Sequence, residues 1–365
     1  MSNGGGTVKA LSGMLPEELF SSLELDKKFR AKQIFKWIAD GARSYDAMTN
    51  LPAALRDTLS SRVPIFSTSI LSTMKDPDGT VKLQIGLSNG SAVETVLLTD
   101  AAGRKTACVS CQIGCPMGCA FCQTGHIGYE RNLDAGEIVE QFYHLEDAVG
   151  RLDNIVFMGM GEPMLNLEAI RKSIAILTNP EGRGLSRRRI TVSTSGLCKG
   201  IRDLADNGPD IRLAVSLTAA DPELRDRLMP VNVSNPLPDL RSAIAYFTEK
   251  TGRRVTLEAA LMAGINTDDA HARQIADFAR GLNVHVNLIP WNPVETLPFT
   301  TPKGSETRSF LKKLEAYGLN VTLRTRRGET IGGACGQLGR SAGIAATGTG
   351  SRRPEDEEDD EPWMG

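Results

Sequence analysis

The stretch 108–122 reads CVSCQIGCPMGCAFC and holds five of the seven cysteines of a 365-residue chain. Within it Cys115, Cys119 and Cys122 form a CxxxCxxC run, with Phe121 directly before the last thiol. Three thiolates this close in sequence can hold three irons of a cubane cluster and leave the fourth iron open to another ligand. A cluster that only carries electrons takes four cysteines, and a structural zinc is also closed by four ligands. The competing reading is a zinc knot, with Cys108 and Cys111 as one CxxC pair and Cys119 and Cys122 as the other. Only seven residues separate those pairs, against roughly 15 to 20 in ribbon-type sites. A disulfide framework fits less well still, because an odd cysteine count in a long chain argues for reduced, working thiols.

Downstream, the sequence alternates strand-like and helical segments. Apolar and β-branched runs at 106–110, 154–158, 189–194, 212–217, 255–261, 285–290 and 320–325 read as strands. Amphipathic helices lie between most of them, such as 135–148, capped by Asp134 with Glu137 three positions on, and 307–317, which follows Ser305. Such alternation predicts an α/β fold with a parallel sheet, and six or so repeats predict a partial (β/α)6 barrel of the TIM type. Active sites of barrels form on the loops after the strands. Gly159-Met160-Gly161-Glu162-Pro163 follows the second strand, Ser193-Thr194-Ser195-Gly196 ends the third, Ser216-Leu217-Thr218 the fourth, and Trp291-Asn292-Pro293 follows the sixth. Each has an ordinary structural use in a turn or cap. Their shared placement on the cysteines' side of the barrel points to one common ligand. A ligand with an amino group, a ribose and a carboxylate would suit them, Glu162 and backbone carbonyls holding the ammonium while serine and asparagine bond the rest.

Upstream, residues 1–14 read as a glycine-containing mobile tail. Residues 15–63 read as a small helical domain in which Ile34, Phe35 and Ile38 share one face and Lys27, Lys28, Arg30, Lys32 and Lys36 surround it. Residues 64–100 read as a β meander, with strands at 70–73, 81–87 and 93–98, leading into a core over 101–338. Residues 339–365 end in an unbroken acidic run, 355–361, expected to be disordered. That run accounts for the formal charge of −2; the rest of the chain has five more basic than acidic side chains, a mild bias toward phosphates. No run approaches the roughly 18 apolar residues of a membrane span, and the start lacks the apolar stretch of a signal peptide. A cytoplasmic protein without a membrane partner is expected.

The CxxxCxxC run followed by MGMGEP resembles the radical S-adenosylmethionine superfamily. More closely, the chain resembles its adenine carbon-2 methyltransferases of 23S rRNA and tRNA, the RlmN family. The resemblance runs through FRAKQIFKWI, MTNLPAALRDTL, VETVLL, CVSCQIGCPMGCAFCQTG, MGMGEPMLN, STSG, LRDRLMPVN, NLIPWNP and GGACGQL around Cys335. It implies a radical SAM barrel with a helical accessory domain that binds RNA, a 4Fe–4S cluster on Cys115, Cys119 and Cys122, and S-adenosylmethionine held by Gly161, Glu162, Ser193, Ser216, Leu217, Thr218 and Asn292. It implies that Cys335 takes the methyl group from one S-adenosylmethionine and that a radical from a second activates the methylcysteine for addition to adenine carbon 2. Cys108 would then release the product, leaving a transient Cys108–Cys335 disulfide, with Glu94 as proton acceptor. The implied partners are 23S rRNA, tRNA and an electron donor such as flavodoxin or ferredoxin, and the implied state is a monomer.

This sequence departs from the family pattern at Thr218, where histidine is usual, and at Cys111, where serine or threonine is common; Cys111 is expected to be a bystander and Cys198 a small buried residue. Candidate phosphate contacts are Arg187, Arg188 and Arg189, and the group Arg324, Arg326 and Arg327 near Cys335. The nearest rival is the sister enzyme of the Cfr type that methylates carbon 8. Further off are a radical activase, which has no use for Cys335, and a zinc-stabilised RNA-binding module.

Overall fold

A computed structural model describes residues 9–339. Its main sheet has ten strands: β1 (Ser69–Lys75), β2 (Val81–Gly86), β3 (Ala92–Thr99), β4 (Lys105–Cys108), β7 (Asn154–Phe157), β8 (Ile190–Thr194), β9 (Arg212–Ser216), β10 (Val255–Leu261), β11 (Val284–Pro290) and β12 (Val321–Leu323), neighbours in that order. β5 (Gln112–Gly114) and β6 (Tyr129–Asn132) form a separate antiparallel pair. From β4 to β12 all pairings are parallel. These strands are rich in Val, Ile and Leu, as in a sheet covered on both faces, with polar residues such as Ser193, Ser216, Glu258 and Asn287 among them.

The helices follow in chain order: α1 (Pro16–Ser22), α2 (Lys28–Ala39), α3 (Ala53–Arg62), α4 (Gln123–His126), α5 (Ala135–Val149), α6 (Leu167–Thr178), α7 (Cys198–Asn207), α8 (Pro222–Leu228), α9 (Val231–Ser234), α10 (Leu237–Thr251), α11 (Asp269–Ala279) and α12 (Gly304–Ala316). Six strand-to-helix crossovers thus connect seven parallel strands, the expected partial barrel. α5 starts as its sequence dictates: Glu137 N donates to Asp134 Oδ1 at 2.9 Å and Asp134 N to Glu137 Oε2 at 3.0 Å. α12 does not start at Ser305, which lies inside the helix; Lys303 holds the cap position and makes no side-chain cap bond.

Three boundaries differ from the sequence reading. Of the expected mobile tail over 1–14, residues 9–14 pack against the fold, and residues 1–8 lie outside the described residues. Leu11 is fully buried, its N–H donates to Pro64 O at 3.2 Å, and Ser12 Oγ donates to buried Glu140 on α5 at 2.5 Å. Gly13 makes this docking possible, because a Cβ there would stand 2.9 Å from the Gly136 backbone. The meander is part of the main sheet, joined through the antiparallel β3–β4 pair. The core extends past 338, because Gly339 is buried and its N–H donates to Glu94 Oε2 at 2.6 Å. The acidic run 355–361 lies outside the described residues. Among those residues, no helix is long and apolar enough to cross a membrane.

Candidate active site

The cysteine loop leaves β4 and is shaped by close backbone approaches. Gly114, at φ +73°, packs on Gly128 O where no Cβ would fit, and Cys115 N donates to Gly128 O at 2.9 Å. Trp291, after β11, donates its ring N–H to Phe121 O at 2.9 Å and pins the far side of the loop. Cys115, Cys119 and Cys122 all face one cavity of about 170 Å³ at the C-terminal ends of the parallel strands. Burial is the main influence pushing all three thiols up, Cys115 to about 12, and mutual repulsion adds to it for Cys115 and Cys119. Among the described residues no three acidic, histidine or cysteine side chains converge as ligands of a single ion do. Three thiols that each take a different iron need no such convergence. The zinc alternative is split: Cys108 lines a different cavity from Cys119 and Cys122, and buried Cys111 lines neither.

The strand-end residues meet in the cysteine cavity. Gly161, Glu162, Ser193, Ser216, Thr218 and Asn292 all line it; Leu217 does not, being turned into the core. Gly161 stands at φ +104°, and a Cβ there would strike the Gln112 side chain at 2.6 Å. The carboxylate of Glu162 is buried, accepts from Ser195 N at 2.7 Å and Met164 N at 3.0 Å, and is pushed up by desolvation, so a cationic ligand would favour its charged form. Ser195 Oγ and Asn292 Oδ1 are buried without protein partners. Orphaned acceptors, a desolvated carboxylate and three thiols fit a ligand that brings donors and positive charge beside a cluster.

A second cavity, of about 330 Å³, adjoins the first. It is lined by Cys108 at the end of β4 and by Arg324, Arg326 and Arg327. Cys335, Asn292 and Arg324 line both cavities. Cys335 is therefore the one thiol in their common wall, and all seven cysteines are free. Burial pushes Cys108 up to about 12, the neighbouring Cys335 adds to the rise, and Arg324 opposes it. Cys335 is also raised by desolvation and opposed by Arg324.

The Cys335 loop is pegged from several sides. Asn292 Nδ2 donates to Cys335 O at 2.9 Å, Gln123 N to Gly336 O at 2.8 Å, Thr124 Oγ1 to Leu338 O at 2.7 Å and Gln337 Nε2 to Pro293 O at 2.8 Å. Thr330 Oγ1 donates to Asp76 Oδ2 at 2.6 Å, reaching the β1–β2 turn. Glu94, fully buried on β3, lines neither cavity and is paired with Lys82 at 3.0 Å. Arg187, Arg188 and Arg189 are exposed but precede β8, at the opposite end of the sheet from both cavities. Cys198 is half-buried and lines neither cavity. Sequence reading missed Glu258, a buried carboxylate inside β10 that lines the cysteine cavity and accepts from Asn287 at 2.7 Å. It also missed buried Arg225 on α8. Glu258 is a lone charge in an apolar run, a signal that was available, whereas Arg225 stands among Glu223, Asp226 and Arg227 and carries none.

Known proteins fit this geometry. A family model described as the Radical SAM superfamily matches residues 109–278, and one described as the ribosomal RNA large subunit methyltransferase N-terminal domain matches 14–65. A probable dual-specificity RNA methyltransferase RlmN of Treponema denticola is 60% identical over 91% of this chain and 96% of its own. The protein of that name from Treponema pallidum is 56% identical over 92% and 98%. The crystal structure of a radical SAM methyltransferase from Sphaerobacter thermophilus superposes with a TM-score of 0.87 at 43% identity, covering 90% of this chain and 98% of that one. Whole-length identity, the matching N-terminal domain and a shared fold place one conclusion beyond the motif alone: the chain belongs to the RlmN family of radical SAM RNA methyltransferases, whose cofactors are a 4Fe–4S cluster and S-adenosylmethionine.

Proposed function

We propose that this protein methylates carbon 2 of an adenine in 23S rRNA, and in tRNA, by way of Cys335. The observation that carries this reading is the position of Cys335 in the wall shared by a thiol-lined cavity and an arginine-lined one. Carbon 2 lies between two ring nitrogens and offers no nucleophile to an electrophilic methyl donor. Cys335 supplies one: its thiolate takes the methyl group of one S-adenosylmethionine, and S-adenosylhomocysteine leaves. A cluster on Cys115, Cys119 and Cys122 would supply, when bound, the electron that splits a second S-adenosylmethionine into methionine and a 5′-deoxyadenosyl radical, which would take a hydrogen atom from methyl-Cys335 and leave as 5′-deoxyadenosine. Gly161, Glu162, Ser193, Ser216, Thr218 and Asn292 hold this second S-adenosylmethionine; Leu217 contributes through its backbone, because its side chain points away.

Addition of the methylene radical leaves an unpaired electron on the adduct; as carbon 2 loses its proton, that electron would return to the oxidised cluster, and Cys335, joined through its methylene to carbon 2, must then be released. Cys108 does this by attacking the Cys335 sulfur: the S–S bond forms as the S–C bond breaks, and the electron pair goes to the carbon, which takes a proton. An external dithiol returns two electrons before the next turnover. For the proton leaving carbon 2 there are two candidates. Cys108 already faces the cavity, whereas Glu94 serves only if the Cys335 loop releases its carboxylate. The target adenine must leave its stack to reach this wall, so the substrate is folded RNA with an extrudable base. Arg324, Arg326 and Arg327 meet its phosphates, and residues 15–63 form an RNA-binding accessory domain, with Lys27, Lys28 and Lys36 outward. The enzyme works as a cytoplasmic monomer with a flavodoxin or ferredoxin as electron donor.

The test is anaerobic incubation of cluster-loaded protein with methyl-deuterated S-adenosylmethionine and unmodified 23S rRNA or tRNA, followed by nucleoside mass spectrometry. Labelled 2-methyladenosine, lost in Cys335→Ala, supports the reading. Labelled 8-methyladenosine moves the protein to the carbon-8 activity. No labelled nucleoside, from protein that still cleaves S-adenosylmethionine, overturns the RNA reading and leaves a radical activase.

A further inference from the structure

Three cations with long side chains are buried among the described residues, and one lacks a counter-ion. Lys82 has Glu94 at 3.0 Å and Arg183 has Glu146 at 2.7 Å. Arg225 on α8 is 0% exposed, and no carboxylate among the described residues pairs with it. Its guanidinium donates instead to main-chain carbonyls: Nη1 to Ser216 O at 3.1 Å and to Leu217 O, and Nη2 to Ser195 O at 2.9 Å. Nε is buried with no acceptor at all. The carboxylate next to it in sequence, Asp226, points to solvent and bonds Asn232 at 2.6 Å. A buried charge in this state is costly unless an anion lies close.

The surroundings say where that anion sits. α8 packs directly on the cysteine loop: Ala120 N donates to Leu228 O at 3.0 Å, and Leu224, Leu228 and Met229 share an apolar cluster with Met117, Cys119 and Phe121. The three carbonyls that Arg225 grips end β8 and β9, where Ser195 and Ser216 border the same cavity.

We propose that Arg225 is the internal counter-charge of the cluster held at Cys115, Cys119 and Cys122, and that the same guanidinium fixes the strand-end carbonyls bordering the S-adenosylmethionine cavity. This rests on the reading that those three cysteines hold the cluster. A cubane with three thiolates carries a net negative charge that grows by one on reduction, and net charge and hydrogen bonding set the potential of such clusters. A fixed cation beside it favours the reduced form and eases the electron entry that splitting S-adenosylmethionine requires. The carbonyl grip couples that charge to the ligand site through one side chain.

The experiment compares anaerobically reconstituted wild type, R225M and R225K by iron and sulfide content, by mediated redox titration followed by electron paramagnetic resonance, and by S-adenosylmethionine binding in equilibrium dialysis. R225M is expected to lower the reduction equilibrium constant about tenfold, which is about 59 mV more negative for one electron. R225K keeps the charge but not the three-carbonyl fork, so it should leave the potential near wild type while binding S-adenosylmethionine several-fold more weakly. A cluster in R225M with the wild-type potential overturns the proposal. If R225M does not fold, R225K decides: a tenfold loss of reducibility with the charge retained overturns it, and weaker binding at an unchanged potential supports it. Wild-type protein that takes up no iron or labile sulfide would instead sink the cluster reading, independently of Arg225.

Discussion

Lys82 and Glu94 form an ion pair of 3.0 Å between β2 and β3, with side chains 5% and 0% exposed, and together they clamp the loop that carries Cys335. Lys82 Nζ also donates to Gly332 O at 3.3 Å, and Glu94 Oε2 accepts from Gly339 N at 2.6 Å, so the pair holds both flanks of Cys335. Removing one partner of a buried pair strands the other charge. Lys82→Met should therefore cost about 3–5 kcal/mol of stability, whereas the double variant Lys82→Met/Glu94→Leu, with no stranded charge, should recover most of that loss. Neither should methylate at the wild-type rate, because the loop has lost its pegs. Urea unfolding of the cluster-free proteins checks the first statement and single-turnover methyl transfer the second.

Glu94→Gln separates the clamp from proton acceptance. A glutamine amide oxygen can still accept from Gly339 N, but it takes no proton near neutral pH. Glu94→Gln also leaves Lys82 without its counter-charge and should cost stability, so if the clamp is the whole role, methylation of Cys335 and product formation should fall together. A fall of about a hundredfold or more in the step that follows adduct formation, with methylation of Cys335 intact, would make Glu94 the proton acceptor. Quantifying methyl-Cys335 and product RNA in the same sample tells the two apart.

Much of this architecture was legible because its causes are local. The seven parallel strands centre on short apolar and β-branched runs, and the Asp134–Glu137 box fixes the start of α5. The CxxxCxxC spacing gathers three thiols within one loop. What escaped depends on chain segments distant in sequence. Nothing in the first fourteen residues announces that Ser12 will meet Glu140 or that Gly13 will lie against Gly136. Arg225 and Glu258 read as solvated charges until α8 and β10 are folded around them. The distance of Glu94 from both cavities is set by its pairing with Lys82 and Gly339, contacts that no local pattern encodes.

Cys108 and Cys335 face one cavity, and their division of labour can be read from what each variant accumulates. Cys335→Ala should abolish methyl transfer outright, since no carrier remains. Cys108→Ala should allow addition but not release, leaving RNA covalently attached through Cys335 and visible as a band that survives denaturing electrophoresis and disappears with ribonuclease. Normal turnover by Cys108→Ala would refute its releasing role.

Acid–base behaviour of Cys108 follows from its burial. Its folded pKa, about 12, lies above the ordinary thiol value, so the native state holds this proton more tightly than the unfolded chain does. That contribution is constant below the ordinary thiol range and is lost as pH rises toward the folded value, at up to about 1.4 kcal/mol per pH unit. Between pH 8 and 10.5 wild type should therefore lose urea stability more steeply than Cys108→Ala. Arg324 opposes the rise at both thiols, so Arg324→Gln should shift the alkaline limb of Cys335 alkylation by iodoacetamide to higher pH. Equal slopes would show that burial does not hold the Cys108 proton, and an unmoved limb that Arg324 does not act on Cys335.

Thr218 is a β-branched residue at φ +55°, in the left-handed region, within the cavity lined by Cys115, Cys119 and Cys122. The conformation is imposed from outside: the N–H groups of Leu217 and Thr218 both reach Glu258 O, at 2.8 and 3.2 Å, and Asn266 Nδ2 holds Thr218 O at 3.0 Å. For an L-residue this backbone costs roughly 1–2 kcal/mol, and asparagine tolerates it better than a β-branched side chain. Thr218→Asn should accordingly raise stability by about 1 kcal/mol. Thr218→Val keeps the branching and the strain and removes only the hydroxyl. If that hydroxyl bonds the ligand, Thr218→Val should leave stability nearly unchanged and weaken S-adenosylmethionine binding about five- to tenfold, the worth of one neutral hydrogen bond. Unchanged affinity in Thr218→Val would assign the residue to shaping the strand end alone, with Asn266→Ala then expected to weaken binding more than any change at the Thr218 side chain.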